Sequence, residues 1–259
     1  MSLLGFQQAF RDLIASPSLC VALRSQPGAI LDRYELTDRE VSRLVDVVSQ
    51  PGMSVNCTLY RVNRVTPIYT MLTMTCQLLR TDLRREMDAF WDSSEATTLQ
   101  FKQEVNQFVA FLRRRIREGE ITNPYVEEVM DFERAANMLR YLPRHEIEQQ
   151  LYVQESLTSN GDLILHPLVR LVRFRHDPAP LLATLSALET PSLDIPNGEF
   201  YVLVDARTDE LSVSSLPLTL GRALRAVESE FRPLSADDYR VAADSGLVVN
   251  PLPLASVSS

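Results

Sequence analysis

The side chains that most often bind metals or act as nucleophiles are few in this sequence and widely spaced. Its three histidines are His145, His166 and His176. His145-Glu146 begins like a zinc-binding HExxH motif, but residue 149 is glutamine, so the motif is incomplete. The three cysteines, Cys20, Cys57 and Cys76, lie outside any CxxC pattern. Neither a GxSxG nucleophile elbow nor a glycine-rich phosphate loop is present. We therefore expect no catalytic residue, metal or cofactor in this chain.

Charged residues inside apolar helices are a second pattern with chemical consequences. Arg61 and Arg64 are three positions apart, so on a helix they share one face and can fork onto carboxylates. Glu133 interrupts the apolar row of a predicted helix, where a carboxylate is costly unless an arginine or backbone donors meet it. We predict that Glu133 is buried and paired with an arginine of residues 61–64. Two interpretations stay open: a structural ion pair, or an arginine that contacts an acidic group on a partner.

Helical periodicity organises the chain as far as residue 147. Residues 1–50 contain short amphipathic segments, and Thr37 with Glu40 has the spacing of a capping box. Pro67 predicts a break in the next helix. The clearest helix spans residues 101–118, and another spans 124–141, with Asn123 as its predicted N-cap. We interpret 1–147 as an all-helical domain whose first 50 residues form an extension.

Strand patterns appear after residue 147. We predict a strand within 163–174, and a hairpin of strands 199–205 and 211–216. Helices are predicted at 178–188, at 218–227 and at 235–246. The fold class is therefore α+β, with residues 148–259 forming a smaller α+β domain. Both faces of strand 199–205 are apolar, which indicates either cover by the helical domain or a surface that serves a ligand.

Composition narrows the class of partner. The formal net charge of −8 and the isoelectric point near 5.0 argue against a duplex-DNA ligand, because phosphate affinity depends on lysine and arginine. The N-terminus lacks the basic region of a secretory signal, and no apolar stretch is long enough to cross a bilayer. We expect a cytoplasmic protein without a membrane partner.

The C-terminal half resembles the small winged-helix modules that bind leader peptides in pathways for ribosomally made, modified peptides. The hairpin FYVLVDARTDELSVSSL, followed at once by two helices, carries this resemblance. It implies a precursor peptide that adds as a strand to the hairpin edge and packs on the last helix. The candidate peptide-binding residues are Tyr201, Leu203, Tyr239 and Leu247.

The helical half resembles the partner subunits of multinuclear iron-dependent oxidases, including the partner in methanobactin synthesis. The segments that carry this resemblance are RVNRVTPIYTML, QFVAFLRRRI and NPYVEEVMDFERAANMLR, with Tyr125, Phe132, Glu133 and Ala135 as the main matches. Residues 1–50 do not align with that group and are similar to small LigA-like domains. The resemblance implies a non-catalytic accessory subunit in a heterodimer, with the iron held by the oxidase subunit.

Two alternatives remain from other classes. A transcriptional regulator with a C-terminal winged helix and a helical dimerisation domain would show the same order of elements. The predicted helix at 235–246 argues against it, because three aspartates there outnumber the single arginine, Arg240. The other alternative, a stand-alone enzyme, lacks a catalytic motif.

Overall fold

The computed structural model describes residues 3–93, 101–142, 164–208, 210–228 and 235–249. The α-helices, in chain order, are α1 (Leu3–Ala15), α2 (Pro17–Ser25), α3 (Leu31–Tyr34), α4 (Asp38–Val48), α5 (Pro51–Met71), α6 (Thr73–Leu78), α7 (Leu83–Ser93), α8 (Phe101–Arg117), α9 (Val126–Arg140), α10 (Pro178–Ser186), α11 (Leu218–Glu228) and α12 (Ala236–Asp244). The strands are β1 (Ile164–Leu165), β2 (Val169–His176), β3 (Asn197–Asp205), β4 (Ser212–Leu216) and β5 (Val248–Val249). The predicted α+β class is confirmed.

Residue contacts divide the chain into two units. The first consists of residues 1–70 and 81–118, and the second of residues 71–80 and 119–259. The predicted domain boundary near residue 147 falls in the segment 143–163, outside the described residues, and stays a prediction.

The first unit has a core formed by the apolar faces of its helices. Leu13 of α1, Leu44 of α4 and Cys57 of α5 belong to one buried cluster. The predicted capping box begins α4: the Thr37 side chain accepts from the Glu40 amide, and the Glu40 carboxylate accepts from the Thr37 amide. Together these contacts fix the N-terminal helices against α5.

Helix α5 does not break where the sequence predicted. It runs from Pro51 to Met71 with Pro67 inside it, so the predicted interruption is wrong. A proline inside a helix forfeits one backbone hydrogen bond, to the carbonyl four residues earlier. That residue, Asn63, is exposed, so water can bond to its carbonyl. Pro67 itself is buried, and its packing offsets the lost bond.

The second unit is built on an antiparallel sheet in the order β2-β3-β4, while β1 pairs with β5. Val202 and Val204 of β3 lie in one buried cluster with α9 and α10. Leu203 lies in another cluster with α11 and α12. Both faces of β3 are therefore covered by helices, including α9 of the predicted helical domain. The first of the two interpretations, cover by the predicted helical domain, therefore holds only for α9, because α10, α11 and α12 all follow residue 147.

Gly221 allows α11 to approach β3 closely. A Cβ atom built on Gly221 would lie 2.3 Å from Cδ2 of Tyr201, and no atom lies within 4 Å of the corresponding position on Gly52. We expect Gly221→Ala to lower the free energy of unfolding by about 1–3 kcal/mol, because the added methyl group overpacks the contact. The control Gly52→Ala, in the first turn of α5, should leave it unchanged or raise it by about 0.5–1 kcal/mol. Urea denaturation measures both, and equal midpoints for Gly221→Ala and the native chain would contradict the close contact.

Candidate functional site

The outer edge of β4 is the candidate site that the sheet geometry defines. The Ala206 amide donates to the Leu168 carbonyl over 2.9 Å, next to the pairing of Val169 with Asp205. In an antiparallel ladder, hydrogen-bonded pairs alternate with pairs that lack these bonds. From Phe200 to Ala206, before the register shifts near His176, even-numbered residues therefore bond to β2 and odd-numbered residues bond to β4.

This alternation determines which backbone groups of β4 are available. Ser212, Ser214 and Leu216 oppose the odd-numbered residues of β3 and bond to them. The backbone groups of Val213 and Ser215 consequently point away from the sheet. Within the part of the chain that the structure describes, no strand pairs with this edge.

Apart from its short length, the β4 edge lacks the features by which natural sheets prevent further pairing. Edge strands are usually protected by charged side chains, proline or a bulge. β4 reads SVSSL, without a charge or a proline. Its register against β3 is unbroken from Ser212 to Leu216, and its residues are exposed or half-buried. This edge can accept another strand.

Three of the four candidate peptide-binding residues belong to the core. Tyr201, Leu203 and Leu247 are buried, and the Tyr201 hydroxyl donates to Glu199 over 2.8 Å. Burial also raises the pKa of Tyr201. Tyr239, on α12, is 38% exposed. Of the four residues, only Tyr239 can meet a ligand without repacking of the core.

A cleft of about 510 Å³ lies between the sheet and helices α11 and α12. Its charged lining is largely paired internally: Nε and Nη2 of Arg222 donate to Glu199 over 2.9 and 2.6 Å. These bonds hold the pKa of Glu199 below its usual range. Arg173 lies 3.7 Å from the same carboxylate. Sequence reasoning missed this network, although Glu199 and Tyr201 share one face of a strand by alternation.

Glu133 is buried, as predicted, but an arginine is not its partner. Its Oε1 accepts from the Met74 amide over 2.7 Å, and its Oε2 accepts from the Thr75 amide and hydroxyl over 2.9 and 2.7 Å. Leu72 precedes α6, and its apolar side chain cannot accept a hydrogen bond from the first amides of the helix. Glu133 of α9 supplies that cap, so the predicted pairing with Arg61 or Arg64 is wrong. Burial raises the pKa of this carboxyl.

Arg64 does form a buried ion pair, with Glu104 of α8. Its Nε donates to Glu104 Oε1 over 2.7 Å, with side-chain exposures of 2% and 1%. The guanidinium also lies 5.5 Å from the centre of the Phe90 ring. Arg61 stacks over Trp91 at 5.0 Å and lies 3.8 Å from Asp88. The sequence signal for Glu104 was its position on the apolar face of α8, a turn before Phe108.

Glu128, a further buried carboxylate of the second unit, joins α9 to β2. His176 Nδ1 lies 2.9 Å from Glu128 Oε1, and the Arg175 amide donates to Glu128 Oε2 over 2.7 Å. Burial raises the pKa of Glu128. Across the described ranges, no group of three histidine, cysteine, aspartate or glutamate side chains is placed to hold a metal ion. His145 lies outside those ranges.

Comparison of the sequence with models of known protein families gives no match. Comparison with curated proteins likewise finds no similar sequence. No helix in the described part of the chain combines the length and hydropathy needed to span a bilayer.

Removal of Glu133 tests its role as a cap. We expect Glu133→Ala to lower the free energy of unfolding by about 1–3 kcal/mol, because buried amides of α6 lose their acceptor. Glu133→Gln keeps one acceptor oxygen and should lose less. The control Glu127→Ala, on the same helix, removes an exposed pair with Arg175 and should cost less than about 1 kcal/mol. Guanidinium denaturation gives the ranking, and a Glu133→Ala midpoint equal to that of Glu127→Ala would exclude the cap.

Proposed function

We propose that this chain is an accessory subunit that binds a ribosomally made precursor peptide by strand addition and presents it to a separate iron-dependent oxidase. The observation that carries the peptide-binding part is the open outer edge of β4. It offers the outward backbone groups of Val213 and Ser215 in an uncharged, regular strand. Peptides that add to a sheet edge gain affinity from main-chain hydrogen bonds and specificity from side-chain contacts.

The neighbouring side chains support an extended peptide as the ligand. Val213, at the outer edge, is 47% exposed and can contact an apolar side chain of an added strand. Leu216 is partly buried against the cluster of α11 and α12. Two outward residues are a short site, so the peptide needs further side-chain contacts for useful affinity. On this proposal the hairpin β3–β4, with α11 and α12, forms a winged-helix-like recognition module, and Tyr239 is the reachable aromatic residue on its last helix.

The oxidase part of the proposal is supported by the resemblance of the helical segments to oxidase partner subunits. The residues that carry this resemblance have packing roles here. The Tyr125 hydroxyl donates to the Ser192 carbonyl over 2.7 Å, Phe132 lies 6.2 Å from Phe174, and Glu133 caps α6. Matches at such positions favour a shared scaffold for α9 and the sheet.

The exposed residues of α12 do not favour the regulator. Its exposed charged residues are Asp237, Asp244 and Arg240, and Asp238 is half-buried. A helix that reads a DNA groove needs the opposite balance of charge. The acidic face therefore favours a peptide over a nucleic acid as the ligand of this module.

A proline substitution at one outward residue of β4 tests strand addition. Ser215→Pro removes an outward amide and leaves the inward bonds to β3 in place. We expect it to weaken peptide binding by at least about tenfold, or 1.4 kcal/mol. The matched control Ser215→Ala removes only the hydroxyl and should bind like the native chain. The probe is a set of fluorescein-labelled candidate precursor peptides, encoded by short reading frames of the host genome and titrated by fluorescence anisotropy.

The remaining outcomes of this titration are equally informative. Thermal unfolding of Ser215→Pro should match that of Ser215→Ala, which shows that the sheet is intact. Equal peptide affinities for the two variants would exclude the β4 edge. A loss on Tyr239→Ala without a loss on Ser215→Pro would move the peptide to α12 and contradict strand addition. If no peptide of the set binds, the proposed function is contradicted.

A further inference from the structure

The exposed face of α5 carries an apolar row at coiled-coil spacing. Val55, Leu59 and Val62 are separated by four and then three residues, as are the inward positions of a heptad repeat. Their exposed fractions are 58%, 55% and 52%. Thr66 and Tyr69 continue the row at the same spacing. A soluble helix normally turns such a row towards a core.

The threonines of this face are less polar than their residue type indicates. The hydroxyls of Thr58, Thr66 and Thr70 donate to the carbonyls four residues earlier, over 2.9, 2.7 and 2.8 Å. Because each hydroxyl proton is used inside the helix, the methyl group becomes the main feature at the surface. Thr66 thus completes the apolar row instead of interrupting it.

The same face carries no charge. The charged residues of α5 are Arg61 and Arg64. Arg64 is buried on the opposite side of the helix against Glu104, and Arg61, whose side chain is 39% exposed, lies beside the face and is turned against Trp91. In a chain with 23% charged residues, a solvated helix face of this length would be expected to carry several. Charge depletion with exposed apolar residues is typical of the centre of an interface.

We propose that this face of α5 is a dimerisation surface that takes α5 of a second copy of the chain. A two-fold interface places each patch against itself, so any charge on it would meet a like charge. Asn56, Thr58, Asn63 and Val65 occupy the flanking positions where charges select the partner in a coiled coil, and none is charged. Nothing on this face therefore disfavours an identical helix. With 21 residues, α5 extends about 30 Å, enough for the whole row.

A different partner protein is the rival occupant of this face. Specific recognition of another protein generally relies on charges that are complementary across the interface. The exposed face of α5 offers none, which is why a second copy is the better fit.

Sedimentation velocity of the full chain over a wide range of concentration tests this proposal. We expect a concentration-dependent dimer whose dissociation constant rises at least about a hundredfold in Leu59→Glu, because a carboxylate on each copy would be buried in the interface without a partner. Val62→Lys should act in the same way. The matched control Leu4→Glu makes the same change on α1, at a leucine that is 64% exposed, and should dimerise like the native chain.

Both row positions are exposed, so neither substitution disturbs the core, and thermal unfolding at low concentration should confirm intact folding. A native chain that stays monomeric throughout would overturn the proposal. So would a dimer that Leu59→Glu and Val62→Lys weaken no more than Leu4→Glu does. A monomer that binds another protein through this face would assign α5 to that partner and equally exclude the second copy.

Discussion

The burial of β3 on both faces is the constraint on which the second unit depends. A strand that packs against helices on both faces must be apolar at its odd-numbered and at its even-numbered positions. It also needs helices that approach it closely. Val202 and Val204 meet α9 and α10 on one face, while Leu203 meets α11 and α12 on the other. Because both faces of β3 are used for packing, a ligand of this sheet is left with the exposed edge strand β4.

The polar side chains around this sheet are mostly engaged in holding its helices. Glu133 of α9 caps α6, and Glu128 of the same helix accepts from the backbone of β2. Glu199 joins β3 to α11 through Arg222. The buried Glu133 and Glu128, bonded to backbone donors, and the half-buried Glu199 thus connect elements that are distant in sequence. Their roles are structural, so the uncharged edge of β4, and not the charged cleft, is the candidate site.

The sequence predicted local features well and distant pairings poorly. The capping box at Thr37, the helix at 101–118 and the hairpin of β3 and β4 depend on near neighbours, and the structure has all three. The burial of Glu133 also followed from helical spacing. The partner of Glu133 did not follow from helical spacing, because the local sequence does not show that the helix after Leu72 needs a cap from α9. At Pro67 a local preference gave the wrong prediction of a helix break, because tertiary packing overrode that preference.

The candidate site shows the same division. The sequence left open whether the apolar faces of β3 are covered or serve a ligand, and only the positions of α11 and α12 show that the face with Leu203 is covered. The sequence does not show which strands are neighbours in a sheet. The outer edge of β4 could therefore be identified only from the strand order β2-β3-β4. For α5, exposure was likewise hidden, because a heptad row predicts burial as readily as an interface.

Amide hydrogen exchange of β4, measured with and without bound peptide, tests the central claim most directly. In the free chain, the amides of Ser212, Ser214 and Leu216 should already exchange slowly, because they bond to β3, while those of Val213 and Ser215 exchange fast. Strand addition predicts that the peptide slows exchange at Val213 and Ser215 selectively. Unchanged exchange at these two amides in the peptide-saturated protein would contradict it.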